Sequence, residues 1–172
     1  MNEYRRKLLA AINYTKSENE ITSKEWASIS KLPFLTIEFI REFQEQVAWY
    51  YITEPQTLTE DFIREFQNRV NWDWISKNQN LSESFIREFN HKVEWHYISR
   101  YQILSDGFLI EFNEEIYWNG YMTSRCASFP IMKKFIFKTN YTYIDEIKHS
   151  HLSAKQKNDI EKMLALRYMF AN

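Results

Sequence analysis

With 172 residues, 44% of them hydrophobic and 17% aromatic, the chain is long enough to bury a core, and a formal net charge of −1 argues against a strongly basic nucleic-acid binder. Only two glycines, Gly107 and Gly120, are present, too few for phosphate-cradling loops or dinucleotide turns. A single cysteine, Cys126, forbids an internal disulfide and fits a reducing, cytoplasmic setting, and no apolar run approaches the ~18 residues of a membrane span.

The first segment, residues 1–25, sets Arg5, Arg6 and Lys7 beside Tyr4, Leu8, Leu9 and Ile12. Its apolar stretch is too short for a signal peptide, so it reads as a basic amphipathic helix capping the N-terminal end of the repeats. From residue 26 to 125 the chain repeats itself. Phe-Ile-Arg-Glu-Phe begins at Phe39, Phe62 and Phe85, and Phe-Leu-Ile-Glu-Phe at Phe108, at a constant interval of 23 residues. Leu35, Leu58, Leu81 and Leu104 precede the copies by four residues. Val47, Val70, Val93 and Ile116 come after, then Trp49, Trp72, Trp95 and Trp118, then Ile52, Ile75, Ile98 and Tyr121. Thr53, Ser76 and Ser99 keep the same register, as do Gln56, Gln79 and Gln102, and Trp26, Ile29 and Ser30 supply the second half of an earlier copy.

Within a copy, Phe62, Ile63, Phe66 and Val70 stand at i, i+1, i+4 and i+8, one face of a helix. Thr59-Glu60-Asp61, Ser82-Glu83 and Ser105-Asp106 are helix starts, a hydroxyl cap followed by acid at the positive end of the dipole. Glu60–Arg64, Glu65–Arg69, Glu83–Arg87 and Glu88–Lys92 are spaced for i,i+4 pairing. A second, shorter helix runs from Trp72 to about Gln79, α or 3₁₀. Residues 126–147 form a degenerate fifth copy, with Ala127, Ile131, Met132, Phe135, Tyr141 and Ile144 at the apolar positions. Residues 148–172, with Ile160, Met163, Leu164 and Phe170, form a C-terminal capping helix. A 23-residue pair of helices cannot bury its apolar face alone. The expected fold is all-α: an α-solenoid of about four to five helix–short-helix repeats with N- and C-terminal caps, one domain over residues 1–172.

No motif for catalysis emerges. His91 and His96 lie five apart, and His149 and His151, with Asp145 and Glu146 nearby, lack a metal-ligand spacing. The carboxylates fall at first-turn or ion-pair positions. The chain is therefore expected to be non-enzymatic, without catalytic residues, cofactor or metal.

A different constellation points to recognition. Two residues after each repeat tryptophan come Tyr51, Trp74 and Tyr97, with Gly120 ending the series. Residues i and i+2 point about 200° apart on a helix, so these rings cannot share the tryptophan face. Beside them Tyr50, Asp73, His96 and Asn119 vary while the framework is fixed. The ladder is either a packing seam between layers or a partly exposed strip for a protein partner, with Tyr50, Tyr51, Asp73, Trp74, His96 and Tyr97 as its residues. A second ladder, Arg41, Arg64 and Arg87 with Glu45, Asn68, His91 and Glu114, reads as a solvated face.

Charge is uneven: residues 31–125 carry nine basic and fifteen acidic side chains, residues 126–172 eight and four. Lys133, Lys134 and Lys138, with Phe135, Phe137, Tyr141 and Tyr143, form a basic-aromatic patch near the C-terminal end. It is a solvated face over a core or, as an alternative, a nucleic-acid contact whose affinity would fall steeply with salt. A self-associating structural protein is the third reading.

The pattern Leu-Ser-Glu-x-Phe-Ile-Arg-Glu-Phe, then Val-x-Trp-x-x-Ile-Ser-x-x-Gln, resembles tandem repeats in uncharacterised proteins of bacteriophages and large DNA viruses. It covers residues 26 to about 121 well and 127–144 poorly. The helix–short-helix rhythm is also similar to leucine-rich variant repeats, from which the chain departs in its Trp-centred second element and in having no cysteine cluster. The viral resemblance implies an accessory factor in the host cytoplasm that binds and blocks a host protein such as a defence component.

Overall fold

A hydroxyl residue starts each repeated helix. In the computed structural model, which describes residues 3–11, 13–14, 18–53, 57–139 and 152–171, the side chains of Thr36, Thr59, Ser82 and Ser105 accept the backbone N–H groups of Phe39, Phe62, Phe85 and Phe108 at 3.1–3.2 Å. Each bond satisfies a donor that the helix itself leaves open. The regular structure of the described residues is helical throughout, without strands. By packing, the chain divides into two compact units, Met1–Ile75 and Ser76–Asn172.

The first unit holds α1 (Glu3–Ala11), α2 (Ser23–Ser30), α3 (Ile37–Glu42), α4 (Trp49–Thr53), α5 (Glu60–Glu65) and the start of α6 (Trp72–Asn78). The capping role expected of the N-terminal segment has a local basis. Leu9 is buried, Arg5 Nε meets Glu42 Oε1 at 2.6 Å, and the Arg5 guanidinium lies 4.9 Å from the centre of the Phe43 ring. α2 opens with a reciprocal capping box between Thr22 and Glu25 and buries Trp26, Ile29 and Ser30, as the half-copy predicts.

The second unit holds α7 (Glu83–Glu88), α8 (Trp95–Tyr101), α9 (Asp106–Glu111), α10 (Trp118–Thr123), α11 (Phe129–Phe135), a 3₁₀ turn (Ile136–Lys138) and α12 (Ala154–Ala171). Of the apolar positions expected in the degenerate copy, Ala127, Ile131 and Met132 are buried and Phe135 is half-buried; Ile136 is buried as well, and α12 packs on α11 and the 3₁₀ turn, with Ile160 and Leu164 buried. Met163 is half-buried. Ile12, Gln56, Tyr141, Tyr143, Ile144, and the side chains of Tyr4, Leu8 and Phe170, lie outside the described residues.

The first helix of each copy is shorter than its apolar face suggests. It stops at Glu42, Glu65, Glu88 and Glu111, and the following Phe leaves the helical region, at φ between −101° and −110° and ψ between 25° and 32°. A chain of turns then carries Val47, Val70, Val93 and Ile116 into the core, each N–H bonded to the carbonyl of that same Phe at 3.0–3.1 Å. The repeat tryptophans pin these turns: the indoles of Trp49, Trp72, Trp95 and Trp118 donate to the carbonyls of Gln44, Gln67, Asn90 and Asn113 at 2.9–3.0 Å. The second helices are α-helical rather than 3₁₀.

One packing relation recurs inside each compact unit. Trp26 lies 5.2 Å from Phe43, Trp49 4.8 Å from Phe66, Trp95 5.1 Å from Phe112 and Trp118 4.2 Å from Phe135, centre to centre. Each tryptophan thus rests on the aromatic side chain of the next copy, at separations typical of favourable aromatic pairs. Buried hydroxyls make a second recurring link. Ser30, Ser76 and Ser99 accept the N–H of Ala48, Glu94 and Tyr117, 18 residues on, at 2.8–2.9 Å, and Thr53 accepts that of Asn71 at 3.4 Å. Ser30, Thr53 and Ser99 also donate to the carbonyl four residues back. Met122 takes the next position, and the relay ends there.

Candidate interaction surface

Because α4, α6 and α8 each bury their Trp-plus-three isoleucine, the residue one before it faces away from the core. Ile52, Ile75 and Ile98 are fully buried. Tyr51, Trp74 and Tyr97 are half-buried, and Tyr50, Asp73 and His96 are exposed, Tyr50 at 52%. All six candidate partner-binding residues therefore reach solvent in whole or part.

In the first unit, Tyr50 and Tyr51 meet edge to face at 5.2 Å, and Lys31 Nζ stands 4.2 Å from the centre of the Tyr51 ring. The Trp74 N–H is held by the Asn71 side chain at 3.0 Å. In the second unit, His96 contacts Tyr97 at 5.4 Å and Tyr117 at 4.6 Å, Tyr97 contacts Tyr101 at 6.2 Å, and Lys77 Nζ is 5.8 Å from both Tyr97 and Tyr101. The cation-over-ring placement was missed in sequence, although Lys31 and Lys77 stand two periods apart in one register. Tyr101 and Tyr117 were missed as well, because neither recurs from copy to copy.

Two members of the arginine ladder form ion pairs between copies, while Arg64 bonds Asp61 of its own helix at 2.9 Å. Arg41 bonds Glu65 at 2.6 Å, Arg87 bonds Glu111 at 2.8 Å, and Arg69 bonds Glu45. The Glu65 carboxylate is held below the usual glutamate range by its hydrogen bond to Arg41, which is raised in turn. Of the predicted i,i+4 pairs, Glu60–Arg64 and Glu83–Arg87 form loosely, at 3.6 and 3.5 Å. Glu65 and Arg69 turn to Arg41 and Glu45 instead, because the helix ends at Glu65 and Arg69 no longer sits one turn above it.

In the basic patch, Lys133 and Lys134 are exposed and lie over Phe129 and Phe135 at 4.8 and 5.5 Å. Lys138 is committed: its ammonium bonds Glu114 at 2.6 Å and the Asn113 side chain at 2.8 Å. Cys126 and His91 are exposed, and no group of three metal-ligating side chains occurs among the described residues. His149, His151, Asp145 and Glu146 lie outside them. No described helix is long and apolar enough to cross a membrane.

Compared with protein-family models, curated proteins and solved structures, the chain matches none. Function therefore has to be argued from these side chains alone.

Proposed function

We propose that the 23-residue copies stack as an α-solenoid, and that the chain works as a non-enzymatic scaffold receiving a protein partner beside its repeat tryptophans. The observation that carries this reading is a division of roles inside each copy. The Phe, Ile, Val and Ser or Thr positions are buried and tied to the next copy, whereas Tyr50, Asp73 and His96 are exposed and Tyr51, Trp74 and Tyr97 half-exposed. The first set is nearly invariant from copy to copy and the second is not. Half-exposed aromatics on fixed helices lose little freedom on binding and are the side chains most often dominant at interfaces. The likeness of the repeat to phage and large-virus proteins suggests what binding achieves: occlusion of a host protein. The nucleic-acid alternative draws on Lys133, Lys134 and Lys138, of which Lys138 is already paired with Glu114.

The test is affinity capture from native cells with the wild-type chain beside a Trp74→Ala, Tyr97→Ala variant, whose fold is checked by circular dichroism. A specific partner held by the wild type and lost by a folded variant is the expected outcome. Equal capture by both, or none by the wild type, rejects the reading.

A further inference from the structure

Two cations of one register lie over rings of the aromatic ladder, and a third cation of that register does not. Lys31 lies over Tyr51 and Lys77 over Tyr97, each over the ring twenty residues ahead. Arg100 occupies the next basic position of that register, and twenty residues ahead of it stands Gly120. No side chain could be restored there without displacing a ring: a Cβ on Gly120 would lie 2.7 Å from Tyr117 Cδ1, and 3.6 Å from Arg100 Cβ. Arg100 is thus left without the aromatic face its equivalents have.

The surface dips beside Arg100. An open depression of about 330 Å³ is lined by Arg100, Tyr101, Thr123, Ser124, Arg125 and Cys126. Both arginines are exposed, and neither pairs with a carboxylate among the described residues. Ser124, only 5% exposed, has a hydroxyl oxygen without a hydrogen-bond partner among them. Asp106, an acid whose charge acts on the neighbouring Tyr121, is engaged by the Ser128 hydroxyl at 3.0 Å. Arg100 and Arg125 are the charged residues of its lining, and a planar guanidinium fork pairs with a tetrahedral oxyanion more specifically than a point charge does. A phosphate monoester, close to a dianion at neutral pH, balances both.

We propose that this depression is an oxyanion site for a phosphate monoester, held by Arg100 and Arg125. The group could arrive on a phosphorylated side chain or as a small free phosphate. The site does not depend on the interaction reading above, since it can be loaded without a protein partner.

The test is a titration of the full-length ¹⁵N-labelled chain with inorganic phosphate, with a phosphoserine peptide, and with the same peptide unphosphorylated. Saturable shifts confined to residues 100–101 and 123–126 are expected from both phosphates and not from the plain peptide. A tighter phosphopeptide assigns the source to a modified chain, and equal affinities assign it to a small phosphate. Arg100→Gln with Arg125→Gln should weaken binding about tenfold or more, and Arg125→Lys should weaken it measurably while keeping the charge. Lys133→Gln with Lys134→Gln should change nothing. Shifts spread over all basic residues, unchanged affinity in the double Gln variant, or no saturation in the wild type below on the order of 10 mM phosphate, would overturn the site.

Discussion

Ser99 uses its hydroxyl in two directions. It donates to the Trp95 carbonyl at 2.6 Å and accepts the Tyr117 N–H at 2.8 Å, in a side chain with no exposed surface. One small residue thereby bonds within α8 and fastens the start of α10. Replacing it by Ala deletes both bonds and strands the Tyr117 N–H, since leaving a buried donor unmade costs more than an average bond contributes. Ser99→Ala should therefore lower stability to urea by about 1–3 kcal/mol without loss of helicity in the native baseline. An unchanged midpoint would show that water replaces the hydroxyl freely. The sequence marked this position, through Ser30, Thr53, Ser76 and Ser99, but not its work, because the acceptor's partner lies 18 residues ahead on a different helix. The same holds for the repeat tryptophans. Their apolar role was legible from the period, whereas the bond of each indole to the carbonyl five residues back depends on a turn that no side-chain pattern announces. The aromatic strip was legible as residues facing away from the tryptophans, and its partial exposure required the burial of Ile52, Ile75 and Ile98 to be known.

At the scale of elements, the first helices are six residues long, far too short to persist alone, so their ends must be held by neighbours. Glu83 shows how. Its carboxylate accepts the backbone N–H of Ser105 at 2.6 Å, and Ser105 caps α9 by accepting the N–H of Phe108. Asp106 stands in the same relation to Ser128, through the Ser128 hydroxyl. Burial pushes the Glu83 pKa up, but the Ser105 N–H and hydroxyl together with Arg87 more than reverse this, and the net shift is downward. A carboxylate with a lower pKa in the folded state binds fewer protons there than in the unfolded chain. Its stabilisation is complete above the unfolded value of about 4.3 and disappears as pH falls through the lower folded value. Glu83→Gln should be less stable than wild type at pH 7, and the gap between their urea midpoints should close on acidification below about pH 4.3. A gap that stays constant down to pH 3 would mean that the charge plays no part. Helix starts were legible because a cap is a local signal of hydroxyl and acid. Helix ends were not, since they are set by the backbone of the following Phe and by an indole from the next element, and the misplaced Glu65–Arg69 pair comes from that one error.

For the molecule as a whole, the constant interval makes a stronger demand than any single contact. If each copy is braced by its neighbours through equivalent positions, then removing one full period should rejoin equivalent surfaces, whereas removing half a period should not. Excision of residues 83–105 joins Ser82 to Asp106, so that Ser82 takes the place of Ser105 as the cap of α9, and Ser76 is placed to receive the N–H of Tyr117 in place of Ser99. The helix cap and the hydroxyl link survive with chemically equivalent partners, whereas the bonds of the Gln102 side chain to Ser76, Gln79 and Leu81 and the ring beside Lys77 are lost, which lowers the midpoint. Excision of residues 83–94 instead joins Ser82 to Trp95, deletes the Phe85 and Phe89 layer, and leaves the Ser76 hydroxyl facing a chain out of register. The full-period deletion should keep wild-type helicity per residue and unfold cooperatively at a lower midpoint, with a denaturant slope reduced in proportion to the surface removed. The half-period deletion, which takes out fewer residues, should lose its sigmoidal transition. Length alone predicts the opposite order. A full-period variant that unfolds as badly as the half-period one would show that the copies are alike in sequence without being interchangeable in the fold.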